Sequence, residues 1–325
     1  MRIGRLLLGI AAVLGGLVVS GMAATQAATY PVKPVRWVVP FPPGGATDII
    51  ARLLAEKMTV AWSQTVLIDN RAGAAGAIGS DIVAKAAPDG YTILMGTTST
   101  HAVGPAVNPK LPYDNLADFT PVTLAAIFPN VLVAHPAAAT TLKDLIAELK
   151  AKPGQYNFGS SGVGSSTHLA GELFKQMTKT DVNHIPYKGT GPLLNDLMGG
   201  HVSFAFDQIP AVISMVQAGK LRALGVASLE RNPALPNVPA INEVVPGFEA
   251  TAWVGIFAPA RTPGGVVLKI QAETKRIFGL PEVQQRMREL GATPVANSPQ
   301  EFAAFVKKDT DKWRNLVRTA NIVVQ

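Results

Sequence analysis

The chain has 325 residues, with 29 Lys and Arg against 22 Asp and Glu, a formal charge of +7, and no cysteine. The missing thiol excludes disulfides, thiolate catalysis, cysteine-ligated zinc and a lipoprotein anchor. The basic residues are scattered, with no run interleaved with aromatics, which argues against nucleic acid as a partner.

In chain order, residues 1–28 read as a secretory signal peptide, with Arg2 and Arg5 before the apolar core Leu6–Val19 and cleavage after Ala27 or Ala28. No later stretch is long and apolar enough to span a bilayer, so the expectation is a soluble protein exported to the periplasm. Short apolar runs then alternate with helical segments. Val35–Val39, Val66–Ile68, Tyr91–Met95, Tyr156–Phe158, Val202–Phe206 and Arg222–Ala227 read as strands. Thr47–Val60, Ala77–Ala86, Leu142–Lys150, Ser166–Met177, Pro192–Met198 and Ile209–Ala218 read as helices. From Pro263 onward the pattern is three helical segments around a short Thr293–Ala296 strand. This alternation predicts an α/β protein with largely parallel sheets. The long apolar runs Val122–Ala134 and Trp253–Ala258 read as two strands crossing between lobes. Residues 29–128 with 252–325 would form lobe one, 129–251 would form lobe two, and a hinged cleft would lie between them.

Chemistry concentrates where strands empty into helices. Phe41 to Asp48 is a Pro/Gly hinge opening a helix: Gly44, Gly45 and Ala46 let backbone amides approach a ligand, Thr47 is the expected N-cap, and Asp48 lies in the first turn. Free amides at such a helix start form a cradle for a carboxylate or phosphate. A second strand–loop–helix junction offers Ser160, Ser161, Gly162, Gly164, Ser165, Ser166, Thr167 and His168 and reads as an anion cradle facing the first. Thr98 and Ser99, within Gly96–His101, follow a strand end that opens into the cleft. Thr190 is an N-cap or a ligand donor, and Asp207, at the end of a strand, reaches a ligand or caps the next helix. The Gly162–Thr167 stretch has threonine in place of the third glycine of a dinucleotide fingerprint, and no Walker A sequence is present. Gly159-Ser-Ser-Gly162 lacks the spacing of a nucleophile elbow. No His/Asp/Glu spacing suggests a metal site, no cofactor is implied, and these loops contain almost no arginine. Hydroxyls, amides and helix dipoles suit capture and release better than transition-state chemistry, so the expectation is a non-enzyme.

Several segments together carry a specific resemblance over essentially the whole exported length. They are Pro40-Phe-Pro-Pro-Gly-Gly45, Asp69-Asn-Arg-Ala-Gly-Ala74 with Gly76 and Gly79, and Pro88-Asp-Gly-Tyr91. They continue with Ser165-Ser-Thr-His-Leu-Ala-Gly-Glu-Leu-Phe174, Pro186-Tyr-Lys-Gly189, Asp196-Leu-Met-Gly-Gly200, and Pro246-Gly-Phe-Glu249 with Trp253. The chain thereby resembles the periplasmic solute receptors of tripartite tricarboxylate transporters, the Bug family. The resemblance implies a two-lobed type II periplasmic-binding-protein fold that closes on a small organic anion: a di- or tricarboxylate, an aromatic acid, or an amino-acid-like ligand. It implies that the loops matching Phe41–Asp48 and Ser160–His168 grip a carboxylate, and that a monomeric receptor hands its cargo to membrane permease subunits. Asp207 sits where some members of this family use an acidic side chain near the distal part of the ligand. Ionised and facing the ligand, it would disfavour a second carboxylate; turned away as a cap, it would leave a dicarboxylate open. An exported sensory protein feeding a membrane kinase would use the same clamp, and a serine hydrolase using Ser161 or Ser166 with His168 is a third reading.

Overall fold

The structure, a computed structural model, describes residues 30–319; the expected leader at 1–28 lies outside the described residues. The strands are β1 (Val35–Val39), β2 (Val66–Asn70), β3 (Thr92–Thr97), β4 (Phe119–Ala134), β5 (Asn157–Ser160), β6 (Asn183–Pro186), β7 (Phe204–Gln208), β8 (Arg222–Val226), β9 (Thr251–Pro259) and β10 (Thr293–Pro294). The helices are α1 (Ala46–Trp62), α2 (Ala77–Ala84), α3 (Gly104–Val107), α4 (Leu142–Ala151), α5 (Ser166–Thr178), α6 (Thr190–Met198), α7 (Ile209–Gln217), α8 (Gly264–Phe278), α9 (Pro281–Glu289) and α10 (Pro299–Thr319).

One strand belongs to two sheets. The first part of β4 pairs antiparallel with β9 and, at Ala126 and Ile127, with β10; from Asn130 onward β4 pairs instead with β7 and β8. The first sheet runs β2-β1-β3-β9-β4 and the second β6-β5-β7-β4-β8. Within them β1 is parallel to β2 and β3, and β5 is parallel to β6 and β7, as strand–helix–strand crossovers require. The result is an α/β architecture of two sheets joined through β4, with helices covering both faces of each.

Side chains alternate between faces, and this period sets the four apolar clusters. Along β1, Trp37 and Val39 enter the cluster beneath α1 and α8, while Val38 enters the one beneath α2 and α10. Along β4, Leu132 and Ala134 join Phe158, Phe174 and Phe206, whereas Val131 and Val133 join Leu193 and Val212. Strands covered on both faces read as continuous apolar runs, which is why β4 and β9 stood out in the sequence.

Three local expectations need correction. Only β4 crosses between the sheets: every residue of β9 pairs with β4 residues of the first sheet, and the return is made just before it. There Asn130 donates through its backbone and side-chain nitrogens to Ala250 O, Ala227 N donates to Asn130 O, and Ala250 N donates to Ala227 O. The N-cap of α1 is Gly45, with Thr47 already inside the helix. The Gly96–His101 stretch is partly helical, since Ser99–Val103 forms a π-helical turn leading into α3. That turn is held by the buried His101 carbonyl, which accepts from Asn115 Nδ2 (2.7 Å) and Thr310 Oγ1 (2.8 Å). Such turns concentrate where a fold serves a ligand.

Gly255 in β9 lies where a Cβ would collide with the Phe302 ring of α10. Gly255→Ala should therefore lower stability by about 1–3 kcal/mol, the usual cost of overpacking. Unchanged denaturant midpoints would show that Phe302 can move aside.

Candidate functional site

A small cavity of about 20 Å³ lies between the two sheets, room for about one water molecule. Its floor is the crossing region, Phe128 with Ala252–Val254, and its sides are loops at the strand ends of both lobes. Among the described residues no charged side chain lines it.

Four helices start at this cavity: α1 at Gly45, Ala46 and Thr47, α5 at Ser166, α6 at Thr190 and α7 at Gln208. The first amides of a helix have no intrahelical acceptor and carry its positive dipole end. For α1, α6 and α7 no side chain caps them, because Gly45 and Gly189 have none to offer and Gln208 does not turn back. The lobes meet closely here. Ser166 N donates to Ser99 Oγ across the cleft at 3.0 Å, a Cβ on Gly45 would lie 3.6 Å from Thr190 Oγ1, and one on Gly189 would lie 2.6 Å from Pro42.

The first loop is held from behind. Asp48 accepts from Gly44 N (3.0 Å) and Arg52 Nε (2.9 Å) through Oδ2 and from Asn70 Nδ2 (2.9 Å) through Oδ1, and Asn70 also donates to Phe41 O. Burial raises the Asp48 pKa, but the Arg52, Gly44 and Asn70 hydrogen bonds outweigh it and hold the carboxyl below its ordinary value. Asp48 and Gly44 are thus supports behind the wall, while Phe41, Gly45, Ala46 and Thr47 form it.

The second loop is built differently from the expected cradle. Its amides are already engaged: Ser161 N donates to Thr167 Oγ1, Gly162 N to Ser160 Oγ, Gly164 N to His168 Nδ1 and His168 N to Ser165 Oγ. Only Ser161 and Ser166 of this loop reach the cavity, so the second lobe supplies hydroxyls and open helix starts. Ser160, Ser165, Thr167 and His168 lie beneath, while Gly162 and Gly164 border neighbouring hollows. Under the loop the His168 and His184 rings stack at 3.9 Å, and Ser160 Oγ lies 2.7 Å from His184 Nε2. Because His168 Nδ1 accepts a hydrogen bond, the ring is neutral with its proton on Nε2. Burial pushes both rings down, His168 to about 3 and His184 to about 4. The hydrolase pairing is not assembled, since His168 bonds Gly164 and Ser161 Oγ bonds Thr167.

Thr98 and Ser99 both line the cavity, and Thr98 Oγ1 also accepts from Trp253 N at 2.7 Å. Asp207 does not line it. Fully buried behind Thr190 and Gln208, it accepts from Thr190 Oγ1 (3.2 Å) and Gln208 N (2.7 Å), and its Oδ2 has no partner. Burial raises it to about 7. Pro42 and Thr97, inside the two stretches that the sequence singles out, also line the wall, while Phe128, Gln208, Ala252 and Val254 line it without having been named as candidates. Of these only Gln208 carried a signal, as the residue between an apolar strand and Ile209-Pro210, where proline marks a first helical turn. Among the described residues no cluster of three His, Asp or Glu could hold a metal.

These pKa shifts have opposite signs. The native Asp207 pKa lies above the unfolded value, so its contribution is complete below about pH 4 and is lost as pH rises toward about 7. Asp207→Asn should remove that slope, and its melting temperature should gain on the parent's between pH 4 and 8. Parallel curves would mean that the carboxyl is solvated. His168 and His184 are depressed, so the stability they permit is present above about pH 6.5 and is lost as pH falls toward their native values. His168→Gln, which keeps an acceptor for Gly164, should flatten this acid limb; an unaltered limb would place acid sensitivity elsewhere.

The chain matches the profile of the tripartite tricarboxylate transporter family receptor over residues 50–322. It is 41% identical over 318 residues to a protein of the tcbD–tcbE intergenic region of Pseudomonas sp. (strain P51), covering 96% of this chain and 93% of that one. With BugT of Bordetella pertussis it shares 39% identity, covering 92% and 93%. Among solved structures, Rpa4515 of R. palustris with adipate superposes with a TM-score of 0.88 at 38% identity, covering 90% of this chain and 99% of that one. The periplasmic binding protein BugD gives 0.86 at 35%, covering 90% and 99%. MatC of Rhodopseudomonas palustris with bound malate gives 0.84 at 35%, covering 89% and 100%. With this fold and this match along its length, the chain belongs to the Bug/TctC family of periplasmic solute receptors of tripartite tricarboxylate transporters.

Proposed function

We propose that this protein captures a small carboxylate in the periplasm, as a monomer, and delivers it to the membrane permease subunits of a tripartite transporter. The observation that carries this reading is the convergence of four helix N-termini on a wall without charged side chains. An anion placed there meets the first amides of α1 and the hydroxyls of Ser99, Ser161, Ser166 and Thr190. Helix dipoles at roughly 1 kcal/mol each fall short of the roughly 8 kcal/mol that micromolar binding needs. Hydrogen bonds to a charged group, at roughly 1.5–3 kcal/mol each, make up the difference. The relatives solved with adipate and with malate support a dicarboxylate as cargo. Asp207, buried behind Thr190 and Gln208, does not line the wall and so makes no direct contact that would oppose a second carboxylate.

In this reading residues 29–128 with 252–325 move as one body and 129–251 as the other, hinged at Pro129–Asn130 and Ala250–Thr251. Neither a metal nor a cofactor takes part.

Calorimetric titration with succinate, malate, adipate, citrate and benzoate should find one class that binds, with a smaller radius of gyration by small-angle scattering at saturation. Gly45→Val, which fills the space before Thr190, should weaken that ligand about tenfold or more while the unliganded melting temperature changes little. Undiminished affinity in the variant would move the pocket elsewhere, and no heat with any acid would overturn the carboxylate reading.

A further inference from the structure

The cleft continues outward past the inner cavity. Phe41, Pro42 and Ser161 are walls of the inner cavity and also of a second hollow of about 350 Å³, lined by the Ala72–Gly76 loop of one lobe and by Gly162–Val163 with Pro186–Gly189 of the other. This outer compartment is lined mainly by apolar groups and small residues, and Val163 is 40% exposed there. Among the described residues no charged side chain lines the inner wall, whereas the outer one has a single cationic residue, Lys188. Lys188 is exposed and forms no ion pair among the described residues. Lys188 stands two residues before Thr190, which lines the inner cavity. Adjacent Cα atoms are 3.8 Å apart, so the two backbone positions lie within roughly 8 Å, and the lysine side chain extends that span outward.

We propose that the outer compartment is the distal subsite for an elongated acid, with Lys188 as the residue that selects a second anionic end. The first carboxylate sits at the helix starts of the inner cavity, an apolar chain passes Phe41 and Pro42, and the far carboxylate meets the Lys188 ammonium. A diacid long enough to reach from the inner helix starts to Lys188 gains both contacts, and a shorter one gains only the first. This inference rests on the carboxylate reading above and names the shape of the cargo. Three features argue for this occupant: the two hollows share Phe41, Pro42 and Ser161 as walls, the outer lining is mainly apolar, and among the described residues Lys188 is the one charged residue lining either hollow.

The test is a calorimetric series on the full exported chain, with succinate, adipate and suberate as diacids and hexanoate and octanoate as monoacids. In the parent, affinity should rise about two- to fourfold per added methylene as chain is buried, and diacids should exceed monoacids of equal length. Lys188→Met keeps the apolar stem and removes the charge. It should cost adipate and suberate up to about fivefold, the scale of an exposed ion pair, leave hexanoate and succinate unchanged, and be rescued by Lys188→Arg. Equal binding of diacid and monoacid, or an unaltered diacid preference in Lys188→Met, would overturn the subsite while succinate binding kept the carboxylate reading intact. Loss of binding by every acid in the parent would overturn both.

Discussion

The structure depends on β4 being a full member of two sheets. A single strand of 16 residues serves both sheets and changes partners at Pro129–Asn130, which sets the register of one sheet against the other. The knot of hydrogen bonds among Asn130, Ala227 and Ala250 closes the return path beside it. Every other feature of the cleft follows. Parallel β1 and β3 in one lobe and β5 in the other end toward this seam, and the helices that follow them must begin there.

In the proposed reading, that geometry would hold an anion without a cation in the inner wall. Four helix starts give a diffuse positive field, and leaving three of them without side-chain caps keeps their amides available. An arginine would bind more tightly through a bidentate pair, yet it would also stay closed on its ligand. A receptor that must surrender its cargo is better served by dipoles and hydroxyls, whose attraction weakens steeply once the lobes separate and water returns.

Much of this was legible in residue order. The strands and helices lie close to where apolar periodicity placed them, because both faces of each sheet are covered and the runs are unambiguous. The first loop was legible for a local reason: Pro and Gly before an amphipathic helix leave amides exposed. The second loop misled, since its serines and glycines satisfy one another through Thr167, Ser160 and His168. Side-chain closure of that kind depends on rotamers, which spacing does not encode. The α6 start was legible only as Thr190, because Gly189 as cap and its approach to Pro42 arise from the opposing lobe. Asp207 could not be assigned from order at all: burial behind Thr190, rather than position at a strand end, determines its role.

Burial also keeps the cleft electrically simple. His168 and His184 lie under one loop and Asp207 under another, within reach of the same helix starts, and ionisation of any of them would alter the field an anion meets. Desolvation opposes charge of either sign. It depresses the two imidazoles to about 3 and about 4, so they stay neutral, and it raises the carboxyl to about 7, so it resists ionising. The cost is a titrating carboxyl near neutral pH, and its Oδ2 lacks the hydrogen bond that would settle its state. Below its pKa the helix starts face the cavity uncompensated; above it, a negative charge behind Thr190 offsets part of their field. The same desolvation that makes the wall attractive to an anion therefore couples its strength to pH.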